Sequence, residues 1–207
     1  MGAFPTSDML GHKILKDRVF NALDSCQESQ GVDFKESAPW DNLKWRLVKT
    51  ALAMGNLRDG GLIVIGASER NEKWELTGIT PEHIATYDVD VIINFINSFS
   101  SPYLNIDIVL IKYRDGNEYL SLQVNEFNDT PIICKKNGGG GLVEGGIYIR
   151  PPGMAQTTKV MNATQMHDLL ELAAEKRARR ILEVSRRVGL VAMETSSKLF
   201  DDELGGL

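Results

Sequence analysis

The 207-residue sequence predicts a mixed α/β (α+β) fold, a central sheet with helices packed on it, and three segments carry the prediction. Residues 60–66 read GGLIVIG, an unbroken apolar run bracketed by glycines, as expected of a central strand covered on both faces. Residues 41–56 place Leu43, Leu47, Ala51 and Met54 on one stripe, with Lys44, Arg46 and Lys49 largely off it, the pattern of an amphipathic helix that Asp41 can cap. Residues 106–113 and 119–124 flank Asp115, Gly116 and Asn117, whose tolerance of positive backbone angles predicts an antiparallel hairpin.

The remaining elements follow in chain order. Leu10, Ile14, Val19 and Leu23 fall at near-helical spacing over residues 8–24, with Ser7 or Asp8 as cap. Over residues 31–35, Val32 and Phe34 alternate with Asp33 and Lys35, a short strand with one apolar and one charged face. Residues 74–78 suit a hairpin partner, and Val91, Ile92, Phe95 and Ile96 mark a second helix over 88–99. Strands are expected at 132–136 and 146–150, joined through the four glycines 138–141 as a mobile loop and stopped by Pro151 and Pro152. Thr164 opens a long helix through Met166, Leu170, Ala173, Ile181 and Leu182. The predicted organisation is an N-terminal helix (1–26), a core domain (27–162), a basic C-terminal helix (163–189) and an acidic tail (190–207), without internal repeats.

Composition narrows the function classes. Lys and Arg number 23 against 28 Asp and Glu, a net charge of -5, so any anion site must be local. Cys26 and Cys134 fit neither a disulfide scaffold nor a paired-cysteine zinc ribbon, which suits a reducing cytoplasm. No apolar run approaches the roughly 20 residues that cross a bilayer, so no membrane association is expected. His12, His83 and His167 share no ligand spacing.

Three clusters bear chemistry. Glu28, Asp33, Lys35 and Glu36 surround the first strand, as either a solvated edge or oxygen ligands for a hard cation. Asn56, Arg58, Asp59, Gly60 and Gly61 form a tight turn, and no Lys-Ser or Lys-Thr follows a glycine loop as phosphate-cradling loops require. Residues 175–187 carry a net charge of +4 through Lys176, Arg177, Arg179, Arg180, Arg186 and Arg187 against Glu175 and Glu183, leaving -9 elsewhere. Lys135, Lys136, Arg150 and Lys159 add positive charge near the glycine loop.

Four ordered motifs, QESQGVDFKES (27–37), ALAMGN (51–56), GGLIVIGAS (60–68) and GIYIRPPGMAQ (146–156), resemble the Schlafen AlbA-like domain family over about residues 27–172. The resemblance implies that family's fold and nucleic-acid binding, DNA above all, in a regulatory or defence setting. Some animal members are RNA endonucleases, and their acidic triad would fall on Glu28, Asp33 and Glu69. Asp33 stands where glutamate is usual, Ser68 and Glu69 where the family often has an aspartate pair, and the approach to the glycines is longer.

The leading expectation is a nucleic-acid-binding module, for DNA or RNA, in which Lys135, Lys136, Arg150, Lys159, Lys176, Arg177, Arg179 and Arg180 neutralise phosphates without a cofactor and with little base stacking. One alternative is an endonuclease in which Glu28, Asp33 and Glu69 hold magnesium or manganese to activate water. Another is a protein-interaction module whose C-terminal region, with Leu199, Phe200 and residues 201–203, docks on a partner or a second copy.

Overall fold

The computed structural model describes residues 9–188 apart from residue 72. Its elements are α1 (Met9–Ser25), β1 (Val32–Lys35), α2 (Trp40–Gly55), β2 (Gly61–Ile65), β3 (Ala67–Arg70), β4 (Lys73–Leu76), α3 (Pro81–Ile84), α4 (Val89–Asn97), β5 (Ser100–Ser101), β6 (Ile106–Lys112), β7 (Glu118–Val124), β8 (Ile133–Cys134), β9 (Tyr148–Ile149), β10 (Thr158–Lys159) and α5 (Ala163–Arg187). A four-stranded mixed sheet runs β1-β2-β7-β6, with β1 parallel to β2 and the other neighbours antiparallel. Parallel neighbours cannot be joined by a tight turn, and α2 supplies the crossover between β1 and β2.

Strand alternation divides the core into two layers. Ile63, Ile65, Leu120, Leu122, Ile106 and Ile108 pack toward α2 and α4. Phe34, Leu62, Val64, Val109, Ile111 and Tyr119 pack toward Leu15, Val19, Ala22 and Leu23 of α1. All five residues of β2 are buried, which accounts for the unbroken apolar run. The two glycines before it are sterically required: Gly60 has φ +65°, and a Cβ there would lie 2.0 Å from the Val124 carbonyl oxygen, while one on Gly61 would strike Met54.

Several boundaries differ from expectation. Pro39, not Asp41, occupies the N-cap of α2, and Asp41 lies in the first turn paired with Lys44 at 2.7 Å. The strands expected at 132–136 and 146–150 are two-residue pieces that pair elsewhere, β8 with β5 and β9 with β10. The glycines between them do not form an open loop. Residues Gly139–Gly141 make a 3-10 turn against α2, and a Cβ on Gly138 or Gly139 would come within 2.9 Å of the Trp45 indole.

Candidate nucleic-acid interface

Strand β1 is a sheet edge, and its unpaired backbone groups find partners within a few residues. Ser29 N–H donates to the Val32 carbonyl at 3.0 Å, and Val32 N–H donates back to the Ser29 carbonyl at 3.3 Å. Glu28 Oε1 accepts the Phe34 N–H at 2.9 Å, and Lys35 Nζ donates to the Phe34 carbonyl at 3.1 Å. Arg150, the residue after β9, closes the arrangement: Nη1 donates to Asp33 Oδ1 at 2.8 Å, and Nη2 to the carbonyls of Ser29 at 3.0 Å and Val32 at 3.3 Å. Lys35 pairs with the other oxygen of Asp33. Arg150 was expected on a phosphate-binding surface, but its side chain is 0% exposed and its charge is taken up by Asp33.

The geometry does not assemble the expected acidic triad. Asp33 has one oxygen on Arg150 and the other on Lys35, so cations already stand where a metal would bind. Glu28 spends an oxygen on the Phe34 amide and borders a recess of about 470 Å³ lined by Ser25, Cys26, Gln27, Lys73 and Trp74. Burial raises the Glu28 carboxyl above its ordinary pKa, outweighing the opposing pull of the Phe34 amide, Lys35 and Arg150, with Asp33 adding to the rise. Glu69 is exposed on β3, opposite Trp74 of β4. Among the described residues no three His, Cys, Asp or Glu side chains converge as a metal site. This donor set does not fit a magnesium or manganese ion.

Asn56 at the end of α2 ties the sheet to the glycine-rich segment. Its amide nitrogen donates to the carbonyls of Ile132 (3.0 Å) and Tyr148 (2.9 Å), and its oxygen accepts the Ile132 N–H at 2.7 Å. Tyr148 OH donates to the Gly141 carbonyl at 3.0 Å and accepts Val143 N–H at 2.9 Å, which fixes the far end of the glycine turn. The turn rests on Trp45, whose ring lies 5.4 Å from Phe99.

Cations rim this platform, Lys135, Lys136 and Lys159 exposed and Lys49 half-buried. Lys136 sits over the Phe99 ring at 4.4 Å, and Lys135 N–H bonds to the Phe99 carbonyl at 2.9 Å. Lys49 lies 5.7 Å from the Tyr148 ring, and Lys159 is the cross-strand partner of Tyr148. The structure thus brings Lys135, Lys136 and Lys159 around one aromatic base. It adds Lys49, and Arg46 one turn earlier on the same helix face, which the sequence showed only as polar positions off the α2 stripe.

Helix α5 presents its charge differently. It docks through Leu169, Leu172 and Ala173, and carboxylates take up three of the basic residues in its run, two of them from the core. Lys176 pairs with Glu126, Arg180 with Asp129, and Arg58 of the core with Glu175 at 2.5 Å, while Arg179 also reaches Glu175. The Arg58 guanidinium holds the Glu175 carboxyl at about 2. Burial alone would raise Glu126, but Lys176 holds it below the ordinary value. Of the binding residues expected on this helix, only Arg177 has no ion pair among the described residues. The acidic tail expected at 190–207, with Leu199, Phe200 and residues 201–203, lies outside the described residues.

The described residues define a mixed-sheet α+β domain with a locked edge strand and a cationic aromatic platform. The Schlafen, AlbA_2 family profile matches residues 28–158, and the chain belongs to that family. Among solved structures it is similar to a protein from Corynebacterium diphtheriae, at 17% identity and TM-score 0.48, covering 72% of this chain and 27% of that one. It is also similar to the N-terminal domain of an ATP-dependent DNA helicase RecG-related protein from Nitrosomonas europaea, at 18% identity and TM-score 0.41, covering 70% and 95%. The chain thus spans about a quarter of the Corynebacterium protein. No curated protein matches it. No helix among the described residues is long and apolar enough to cross a membrane.

Proposed function

We propose that the domain binds the phosphate backbone of a nucleic acid through Lys49, Lys135, Lys136 and Lys159 around Tyr148 and the glycine turn. The supporting observation is the contrast in charge pairing. These four lysines have no acidic partner among the described residues, whereas Lys176, Arg179 and Arg180 of α5 are engaged by carboxylates. Unpaired ammonium groups gain most from neutralising phosphates, because each contact releases condensed counterions. The edge lock and Asn56 act as positioning residues that hold β9 and the platform.

The test is binding to single-stranded RNA, single-stranded DNA and duplex DNA over a salt series, with magnesium or chelator and cleavage read on the same gels. Binding through four lysines gives a log-log salt slope of about -3.6 on duplex DNA. Combined Lys49→Ala, Lys135→Ala and Lys136→Ala substitution reduces the slope magnitude by roughly 2.7. An unchanged slope in that variant would sink the proposal, and metal-dependent cleavage would replace it with an enzymatic reading. The nucleic acid bound at highest salt identifies the preferred class.

A further inference from the structure

Tyr103 stands apart from the other tyrosines. The hydroxyls of Tyr87, Tyr113, Tyr119 and Tyr148 donate to Ala38, Asp24, Asp115 and Gly141, whereas Tyr103 has no hydrogen-bond partner among the described residues and is 64% exposed. It is the only aromatic ring among the exposed large apolar side chains of those residues. Its backbone is nevertheless firmly held. Buried Asn97 donates from its amide nitrogen to the Leu104 carbonyl at 3.0 Å and accepts the Leu104 N–H at 2.7 Å, and Ser100 Oγ donates to the Pro102 carbonyl at 2.7 Å. The ring is thus presented to solvent from an ordered chain, which lowers the entropic cost of covering it with a ligand.

Tyr103 lies beyond one end of the β5–β8 ladder, and the lysine platform lies at the other. Ser101 pairs with Ile133, both exposed, while Ser100 and Cys134 beside them are buried. Lys135 follows β8 on the exposed side, and its N–H continues the ladder to the Phe99 carbonyl. Tyr103 is two residues past Ser101 in the opposite direction. At roughly 3.4 Å per residue, Lys135, Ile133 and Tyr103 follow one another along a strip no longer than about 14 Å. Its order is cation, aliphatic, aromatic.

We infer that this strip takes an unpaired segment of the nucleic acid, with one base stacked on the Tyr103 ring and the adjoining phosphates on Lys135 and Lys136. The inference rests on the phosphate-binding reading above and narrows it to single strands. In a duplex the faces of internal bases are already stacked, whereas an unpaired base offers its whole π-face to the ring and needs no sequence match. Charge selects the occupant. Lys135 and Lys136 have no acidic partner among the described residues, so an apolar protein surface would desolvate two ammonium groups without compensation, and a polyanion carrying planar rings satisfies both ends of the strip.

The test is binding of the full chain to a short single strand, to the duplex of the same sequence and to an abasic strand of the same length, over a salt series, for the parent, Tyr103→Ala and Tyr103→Phe. Tyr103→Ala is expected to weaken single-strand binding at least about fivefold, with Tyr103→Phe close to the parent. Duplex binding, abasic-strand binding and the salt slope should not change. The single strand is offered as both DNA and RNA, and a loss on either supports the inference. Equal single-strand affinity in Tyr103→Ala and the parent overturns it while leaving the lysine reading intact. An equal loss on the duplex or the abasic strand also overturns it, because the ring would then act by shaping the platform rather than by stacking. Failure of the underlying lysine reading shows instead as an unchanged salt slope in the variant lacking Lys49, Lys135 and Lys136, and removes the inference with it.

Discussion

Arg150 Nη1 and Asp33 Oδ1 meet at 2.8 Å across 117 positions of sequence, with neither side chain more than 6% exposed. The pair joins β1, the first strand of the family-matched region, to the residue that follows β9. Removing Arg150 leaves buried Asp33 with Lys35 alone and takes a donor from the Ser29 and Val32 carbonyls, while removing Asp33 strands the Arg150 guanidinium. Arg150→Ala is therefore expected to cost about 3–5 kcal/mol in urea unfolding. Replacing both, Asp33→Leu with Arg150→Met, should recover part of that loss. If Arg150→Ala unfolded within about 0.5 kcal/mol of the parent, the pair would have no structural role.

Asn56 offers a second, independent test. Asn56→Ala leaves the Ile132 N–H without its partner, and the Ile132 and Tyr148 carbonyls without theirs. At about 1 kcal/mol or more for each unsatisfied buried group, the expected loss is roughly 3 kcal/mol in a urea titration. Exchange should quicken at Ile132 before it does in β2. Uniform acceleration would contradict a local role.

Gly139→Ala places a Cβ about 2.5 Å from the Trp45 indole. The expected cost is about 1–3 kcal/mol of overpacking, with a change in Trp45 fluorescence. The double variant Gly139→Ala, Trp45→Ala should lose less stability than the sum of the single changes. Simple additivity would show that the two residues are not in contact.

Two carboxyl groups set opposite pH dependences. Burial raises the folded-state pKa of Glu28, so the folded protein holds that proton more tightly and the contribution of Glu28 to stability falls as pH rises above its ordinary value of 4.5. Glu28→Gln, which keeps an acceptor for the Phe34 amide, should flatten the fall in the unfolding profile. A steeper fall in Glu28→Gln would contradict burial as the cause.

Glu175 behaves in the other sense. Arg58 depresses its folded-state pKa to about 2, so its stabilising contribution is complete above 4.5 and lost as pH falls from 4.5 toward 2. Hydrogen exchange in residues 169–180 should quicken over that acid window in the parent, and earlier in Arg58→Ala. Identical profiles would show that the ion pair does not help to dock α5.

The sequence disclosed elements whose periodicity is strong and whose partners are near. Strand β2, the β6–β7 hairpin and α2 lie close to their expected bounds because burial alternates with period two along a strand and with period 3.6 along a helix. Strands β5, β8, β9 and β10 have two residues each, too few for any period to show. Nothing near Arg150 in sequence reveals that Asp33, 117 positions away, neutralises it, so its burial is invisible in the sequence. The same holds for Lys176 and Arg180, whose partners Glu126 and Asp129 lie about fifty residues away. The exposure of Lys135, Lys136 and Lys159 follows from their places beside turns, where charge keeps to the surface whatever the tertiary pairing. The Trp45 platform was hidden, since a glycine run reads as freedom until the indole that fills the missing side-chain space is known.

The closed hydrogen-bonding of β1 has a colloidal consequence. An exposed sheet margin is a template on which further strands, from another copy or from an unfolded chain, can add without a built recognition site. On this margin the Phe34 amide is held by Glu28 and its carbonyl by Lys35, while Ser29 takes both groups of Val32. An incoming strand would have to displace a carboxylate and an ammonium group before gaining any bond of its own. That side of the sheet is therefore shielded against runaway stacking at the concentrations where a bare β-edge would seed fibrils.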